Sequence, residues 1–88
     1  MSTSPGEAAV AVEVERLKAM SPALRRRLVR ELARALGARL TFEETARLLA
    51  LAGLGEFAGV KGRIGSRLEL RDGLRAERTA RELRLWRQ

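Results

Sequence analysis

The twelve residues Arg67-Leu68-Glu69-Leu70-Arg71-Asp72-Gly73-Leu74-Arg75-Ala76-Glu77-Arg78 decide the fold class. Leu68 and Leu70 alternate with Arg67, Glu69 and Arg71, which is the two-residue period of a strand with one face covered. Asp72-Gly73 is a turn pair that tolerates positive φ, and Leu74 to Arg78 resumes the alternation, so the stretch reads as a β-hairpin. Leu83-Arg84-Leu85-Trp86 adds a third short strand after a turn near Ala80.

Upstream of this hairpin the period is 3.6. Val10, Val14, Leu17 and Met20 recur near helical spacing and predict a first amphipathic helix over 7–20. Ser21-Pro22 predicts a second start, with Ser as N-cap and Pro at the first helical position, where its missing N–H costs nothing. This helix runs to Leu36 and stops at Gly37, which suits a left-handed cap. Leu24, Leu28, Leu32 and Leu36, with Val29 and Ala35 beside them, form its apolar stripe; Arg26, Arg27, Arg30 and Arg34 form the other side.

Thr41-Phe42-Glu43-Glu44 is a capping box opening a third helix, mostly buried through Leu48, Leu49, Leu51 and Ala52, and ended by Gly53. From Gly53 to Ser66, five glycines mark a flexible connection with one helical turn expected around Phe57. The fold class is therefore α+β: a three-helix unit followed by a small antiparallel β-meander, a hairpin plus a short third strand. Residues 1–6 read as a flexible N-terminus and 7–88 as a single domain, in a chain of 88 residues with room for one small core.

The residue inventory narrows the chemistry. With no His and no Cys, the usual zinc sites, thiol nucleophiles, Ser-His-Asp relays and disulfides are excluded. No apolar run approaches the roughly 20 residues of a membrane helix, and no signal-peptide pattern opens the chain, so a cytoplasmic protein is expected. Gly53-Leu54-Gly55-Glu56-Phe57-Ala58 matches a dinucleotide-binding pattern by letter, but it follows a helix where that fingerprint must follow a strand. The carboxylates are accounted for by a helix start (Glu43, Glu44) and an Arg-rich hairpin (Glu69, Asp72, Glu77). No catalytic, cofactor-binding or metal-ligating residue is assigned.

Charge is the remaining signal. Lys and Arg total 18 against 11 acids, a net charge of +7, and 16 of those cations are Arg. Such an excess is the footprint of a polyanion binder, although GC-rich coding gives the same bias toward Arg, Ala, Gly and Leu. Residues 1–44 carry +2 and 45–88 carry +5. Arg26, Arg30 and Arg34, four residues apart, make a ridge about 12 Å long at 1.5 Å rise per residue, comparable with the distance across two phosphates of an RNA strand. Lys61, Arg63, Arg67, Arg71, Arg75 and Arg78 line the loop and hairpin, where glycines would let backbone N–H groups approach phosphate. A solvated charged face is the alternative for both rows. Trp86 shares a strand face with Arg84; stacking on a base and packing against protein are both open. So few aromatic residues favour recognition of shape and phosphate over reading of single-stranded bases.

The run from Leu17 to Arg30 (Leu-Lys-Ala-Met-Ser-Pro-Ala-Leu-Arg-Arg-Arg-Leu-Val-Arg), then Ala35-Leu36-Gly37 and Leu40-Thr41-Phe42-Glu43-Glu44, resembles the helical domain that follows the catalytic domain in bacterial tRNA(Ile)-lysidine synthetases. The hairpin and Leu83-Arg84-Leu85 resemble the strands that end that domain, so the likeness covers residues 14–87. The chain departs from the family in having Arg71-Asp72-Gly73 at the turn and no aromatic residue at Thr79-Ala80. It also lacks the Ser-Gly-Gly-x-Asp-Ser loop with which the family's catalytic domain uses ATP and Mg to activate the wobble cytidine for attack by lysine.

The resemblance implies a tRNA-binding, substrate-recognition domain that is not catalytic by itself, with tRNA and the parent enzyme's catalytic domain as partners. Its expected phosphate contacts are Arg26, Arg30, Arg34, Lys61, Arg63, Arg67, Arg75 and Arg78. The alternative is a helical protein-protein interaction or dimerisation module whose first helix docks on a partner. That alternative requires Val10, Val14 and Leu17 to leave an exposed apolar patch.

Overall fold

The computed structural model describes residues 9–87. In chain order the elements are β1 (Ala9–Glu13), α1 (Val14–Lys18), α2 (Pro22–Ala35), α3 (Phe42–Leu51), β2 (Arg67–Glu69), β3 (Leu74–Arg78) and β4 (Glu82–Arg87). The strands form one antiparallel sheet in the order β1-β4-β3-β2. The α+β class and the meander of the last three strands are as the sequence implies; the fourth strand is not. Residues 1–6, expected to be flexible, lie outside the described residues.

The correction falls on the first expected helix: residues 7 and 8 lie outside the described residues, and of its described residues only Val14–Lys18 are helical. The preceding Ala9–Glu13 pairs with β4, Val10 opposite Leu85 and Val12 opposite Leu83. Val10, Val12 and Val14 satisfy a period of two, while Val10, Val14 and Leu17 satisfy 3.6, so local pattern alone does not choose. Leu83 and Leu85 are wholly buried, and β1 covers the edge of β4 that carries them. That tertiary demand, with β-branched valines that pack well on a pleated surface, selects the strand.

Both other helix starts form as their residues dictate. The Ser21 hydroxyl accepts from the Leu24 N–H, with Pro22 at the first helical position. At Thr41 the capping box is complete: the hydroxyl accepts from the Glu44 N–H at 3.0 Å and the Glu44 carboxylate accepts from the Thr41 N–H at 2.9 Å. The buried line of α2 is Val29 and Ala33, continued by Leu36, with Leu28 and Leu32 half-buried; Leu24 and Ala35 are exposed. The stripe is thus turned from the expected one, because Val29, Ala33 and Leu36 follow an i, i+4, i+7 row and Leu24 stands outside it.

The core lies between the helices and one sheet face. Leu17, Val29, Leu48, Leu51, Leu74, Ala76, Leu83 and Leu85 are all buried in it. Around Phe57 the expected helical turn is a reverse turn instead, the Val60 N–H donating to the Phe57 carbonyl, with Gly59 at φ +82° inside it. At the β2–β3 turn Asp72 takes φ 61° and Gly73 φ 74°, the left-handed pair that Asp-Gly supplies at low steric cost.

Candidate nucleic-acid interface

Three arginines are tied into the frame, and one of them, Arg78, is among the phosphate contacts expected from the sequence. The Arg25 Nε and Nη2 donate to the Leu17 and Lys18 carbonyls at 2.7 and 2.9 Å, at the end of α1. Arg78 Nη1 donates to the Ala52 carbonyl at 2.7 Å, at the end of α3. Arg87 Nη1 donates to the Leu36 carbonyl at 3.4 Å, at the end of α2, and its Nε to the Asp72 carbonyl at 2.8 Å. Each helix C-terminus leaves carbonyls without intrahelical partners and carries negative potential, so a guanidinium satisfies both at once. Arg78 also shares the core-facing parity of Leu74 and Ala76 on β3, part-buried with its Nε and Nη1 both engaged.

The hairpin arginines lie on the open sheet face amid carboxylates. Registers place Arg67, Glu77 and Arg84 side by side, and likewise Glu69, Arg75 and Trp86. Arg67 Nε is 3.6 Å from Glu77 and Arg75 Nη1 is 3.9 Å from Glu69. On this face three arginines, 67, 75 and 84, meet four glutamates, 13, 69, 77 and 82, so its net field is weak. Trp86 is half-buried there between Ala9 and Arg75.

Lys61 and Arg63 are exposed in the connection that precedes β2. Between them, Gly62 is pressed against the chain's own backbone. A Cβ there would stand 2.7 Å from the Gly53 Cα and 2.9 Å from the Ala50 carbonyl oxygen. The glycine serves close packing of the loop on the end of α3, and the two cations flank that point of close approach in the chain.

The α2 ridge is different in kind. Arg26, Arg30 and Arg34 make no ion pair and no side-chain hydrogen bond among the described residues. They line a shallow groove with Ala23, Arg27 and Glu31. Arg30 and Arg34 also line a second groove with Ala38, Arg39 and Leu40. Around this surface five cations face one carboxylate, Glu31, which Arg27 engages at 3.3 Å.

Arg39 stands outside the set expected from the sequence. Its signal is the alternation Ala38-Arg39-Leu40 after Gly37: Ala38 and Leu40 are buried, which turns Arg39 outward beside Arg34. The structure therefore gathers Arg26, Arg30, Arg34 and Arg39 on the helical layer, leaves Lys61 and Arg63 on the loop, and puts Arg67 and Arg75 on the open sheet face.

Arg34, in the last turn of α2, complements the helix dipole, but the ridge's mutual repulsion opposes the helix. Like charges at i, i+4, here Arg26–Arg30 and Arg30–Arg34, each cost about 0.2–0.5 kcal/mol, and the first turn of α2 holds no acid to complement the helix dipole. The surface suits multiple phosphates, each met by a planar guanidinium that donates two parallel hydrogen bonds.

Among the described residues no group of His, Cys, Asp and Glu is placed to hold a metal ion, and no helix is long and apolar enough to cross a membrane. Compared with family models, with curated proteins and with solved structures, the chain gives no significant match.

Proposed function

We propose that this domain binds RNA along α2, and that its ligand is tRNA, held for chemistry performed by a catalytic domain like that of tRNA(Ile)-lysidine synthetases. The observation that carries the reading is the run of arginines without an ionic partner among the described residues, Arg26, Arg30, Arg34 and Arg39, around two shallow grooves that share Arg30 and Arg34. Successive guanidinium-bearing positions on α2 are about 6 Å apart along the helix axis, a spacing that follows a phosphate backbone. Lys61 and Arg63 provide a second, smaller cationic point; Arg67 and Arg75 contribute less because carboxylates neutralise them, and Arg78 serves the frame. A tRNA ligand places the domain in the cytoplasm, and the ATP and Mg of the lysidine reaction belong to the catalytic domain.

The test is titration of the 88-residue chain with an isoleucine tRNA transcript and with a mixed tRNA pool, from about 50 to 200 mM salt. Salt-sensitive binding with preference for the isoleucine transcript is the expected result. Equal binding of both would reduce the domain to a general polyanion binder, and no binding at low salt would overturn the reading.

A further inference from the structure

The two edges of the sheet are not equivalent. β2 is three residues long and exposes Arg67 and Glu69 along its free edge, a short charged strand of the kind that discourages further pairing. β1 is five residues, Ala-Val-Ala-Val-Glu, uncharged until its last position and without proline or bulge. Among the described residues no strand lies on its far side.

The register fixes which backbone groups are left over. The Val14 N–H donates to the Arg81 carbonyl at 2.8 Å, so Val14, Val12 and Val10 face β4 with their N–H and C=O groups, in the alternation of antiparallel ladders. Ala9, Ala11 and Glu13 then point theirs away from the sheet. The Glu13 carbonyl begins α1, since Glu13 is its N-cap. The outward set that remains is the N–H and C=O of Ala9 and Ala11 and the N–H of Glu13.

That set is self-complementary. We infer that β1 pairs antiparallel with β1 of a second copy about a two-fold axis at Ala11, joining two four-stranded sheets into one of eight strands. Ala11 lies opposite Ala11 of the partner subunit and exchanges two N–H···O bonds with it. Each Glu13 N–H meets the Ala9 carbonyl of the other copy, for four backbone bonds in all. Glu13 faces an alanine and not another glutamate, so no like charges stand opposite. On the core side Val10, half-buried at the rim in one copy, packs beside Val12 of the partner subunit. A two-fold pairing uses the same patch twice and closes on itself. The inference is independent of RNA binding, since α2 takes no part in it.

Sedimentation of the 88-residue chain between about 10 µM and 1 mM tests it, because so small an interface sits at the weak end of specific association. The mass is expected to climb from 9.8 kDa toward twice that value. Ala11→Pro removes only an outward N–H and is expected to stay a monomer with an unchanged circular dichroism spectrum. Ala11→Lys and Ala11→Glu are each expected to be monomeric alone and to associate when mixed, which requires position 11 to face itself. A chain that stays monomeric to 1 mM, a dimer indifferent to these substitutions, or a mixture that fails to associate would each overturn the inference.

Discussion

Arg78 on β3 donates from Nη1 to the Ala52 carbonyl at 2.7 Å, tying the core-facing side of the sheet to the end of α3 across 26 positions of sequence. Its Nε donates to the Thr79 carbonyl at 3.0 Å, so the guanidinium is held at two points. A charged donor on a part-buried carbonyl is worth about 1.5–3 kcal/mol. Arg78→Met is expected to lower stability in a urea titration by that much while changing RNA affinity less than twofold. A variant of full stability with several-fold weaker RNA binding would return Arg78 to the phosphate contacts.

Arg30 offers the opposite combination. Replacing it with Glu turns two repulsive i, i+4 pairs, with Arg26 and Arg34, into attractive ones worth about 0.2–0.5 kcal/mol each. Arg30→Glu is therefore expected to raise the melting temperature by a degree or more, on the scale of about 4–8 °C per kcal/mol for a domain of this size, and to weaken RNA binding at least tenfold. Thermal melts and a binding titration of the same preparation decide it; lower stability with unaltered binding would reverse the reading of α2.

Glu44 sets an acid limit on stability. Burial by itself would raise its pKa, but the N–H groups of Thr41 and Arg71 and the Arg71 charge together outweigh burial and hold it below the ordinary value of 4.5. Arg71 Nε lies 3.1 Å from the carboxylate, so one side chain joins the start of α3 to the β2–β3 turn. A carboxyl group whose folded pKa is depressed contributes stability above its unfolded pKa and loses it as pH falls through the folded value. Glu44→Gln is expected to be less stable than the parent at pH 7, and the gap is expected to shrink as pH falls below the ordinary glutamate range. Denaturation midpoints from pH 7 to pH 3 check this, and a gap that widens toward acid would contradict it.

Gly62 is expected to be intolerant for lack of space. An alanine Cβ would meet backbone atoms at 2.7 and 2.9 Å, which a side-chain rotation cannot relieve. Its φ is not positive, so the backbone conformation itself would admit an alanine and the effect isolates the close approach. Gly62→Ala should cost about 1–3 kcal/mol, as overpacking against a fixed neighbour does. A urea midpoint equal to the parent's would contradict the packing of the loop on α3.

Where local chemistry is sufficient, the sequence is readable. Ser21-Pro22, the capping box at Thr41 and the Asp72-Gly73 turn each satisfy their own backbone within three or four residues, and each stands where expected. Ala9–Glu13 reads as helix because its valines fit both periods, and the partner that makes it a strand, β4, lies about 70 positions away. The arginines are the harder case. Arg26, Arg30 and Arg34 show their common face through spacing alone. Arg78 and Arg87 find their helix ends 26 and 51 positions away, which no local pattern encodes.

The most direct measurement of the central claim is the salt dependence of tRNA binding by the parent chain and by the combined Arg26→Gln, Arg30→Gln, Arg34→Gln variant. Removing one cation from a phosphate reduces the slope of log affinity against log salt by about 1. The expected result is a folded variant whose slope is smaller by about 2–3 and whose affinity at low salt has fallen by about two orders of magnitude or more. A folded variant that keeps the parent's slope and affinity would contradict an RNA-binding role for α2.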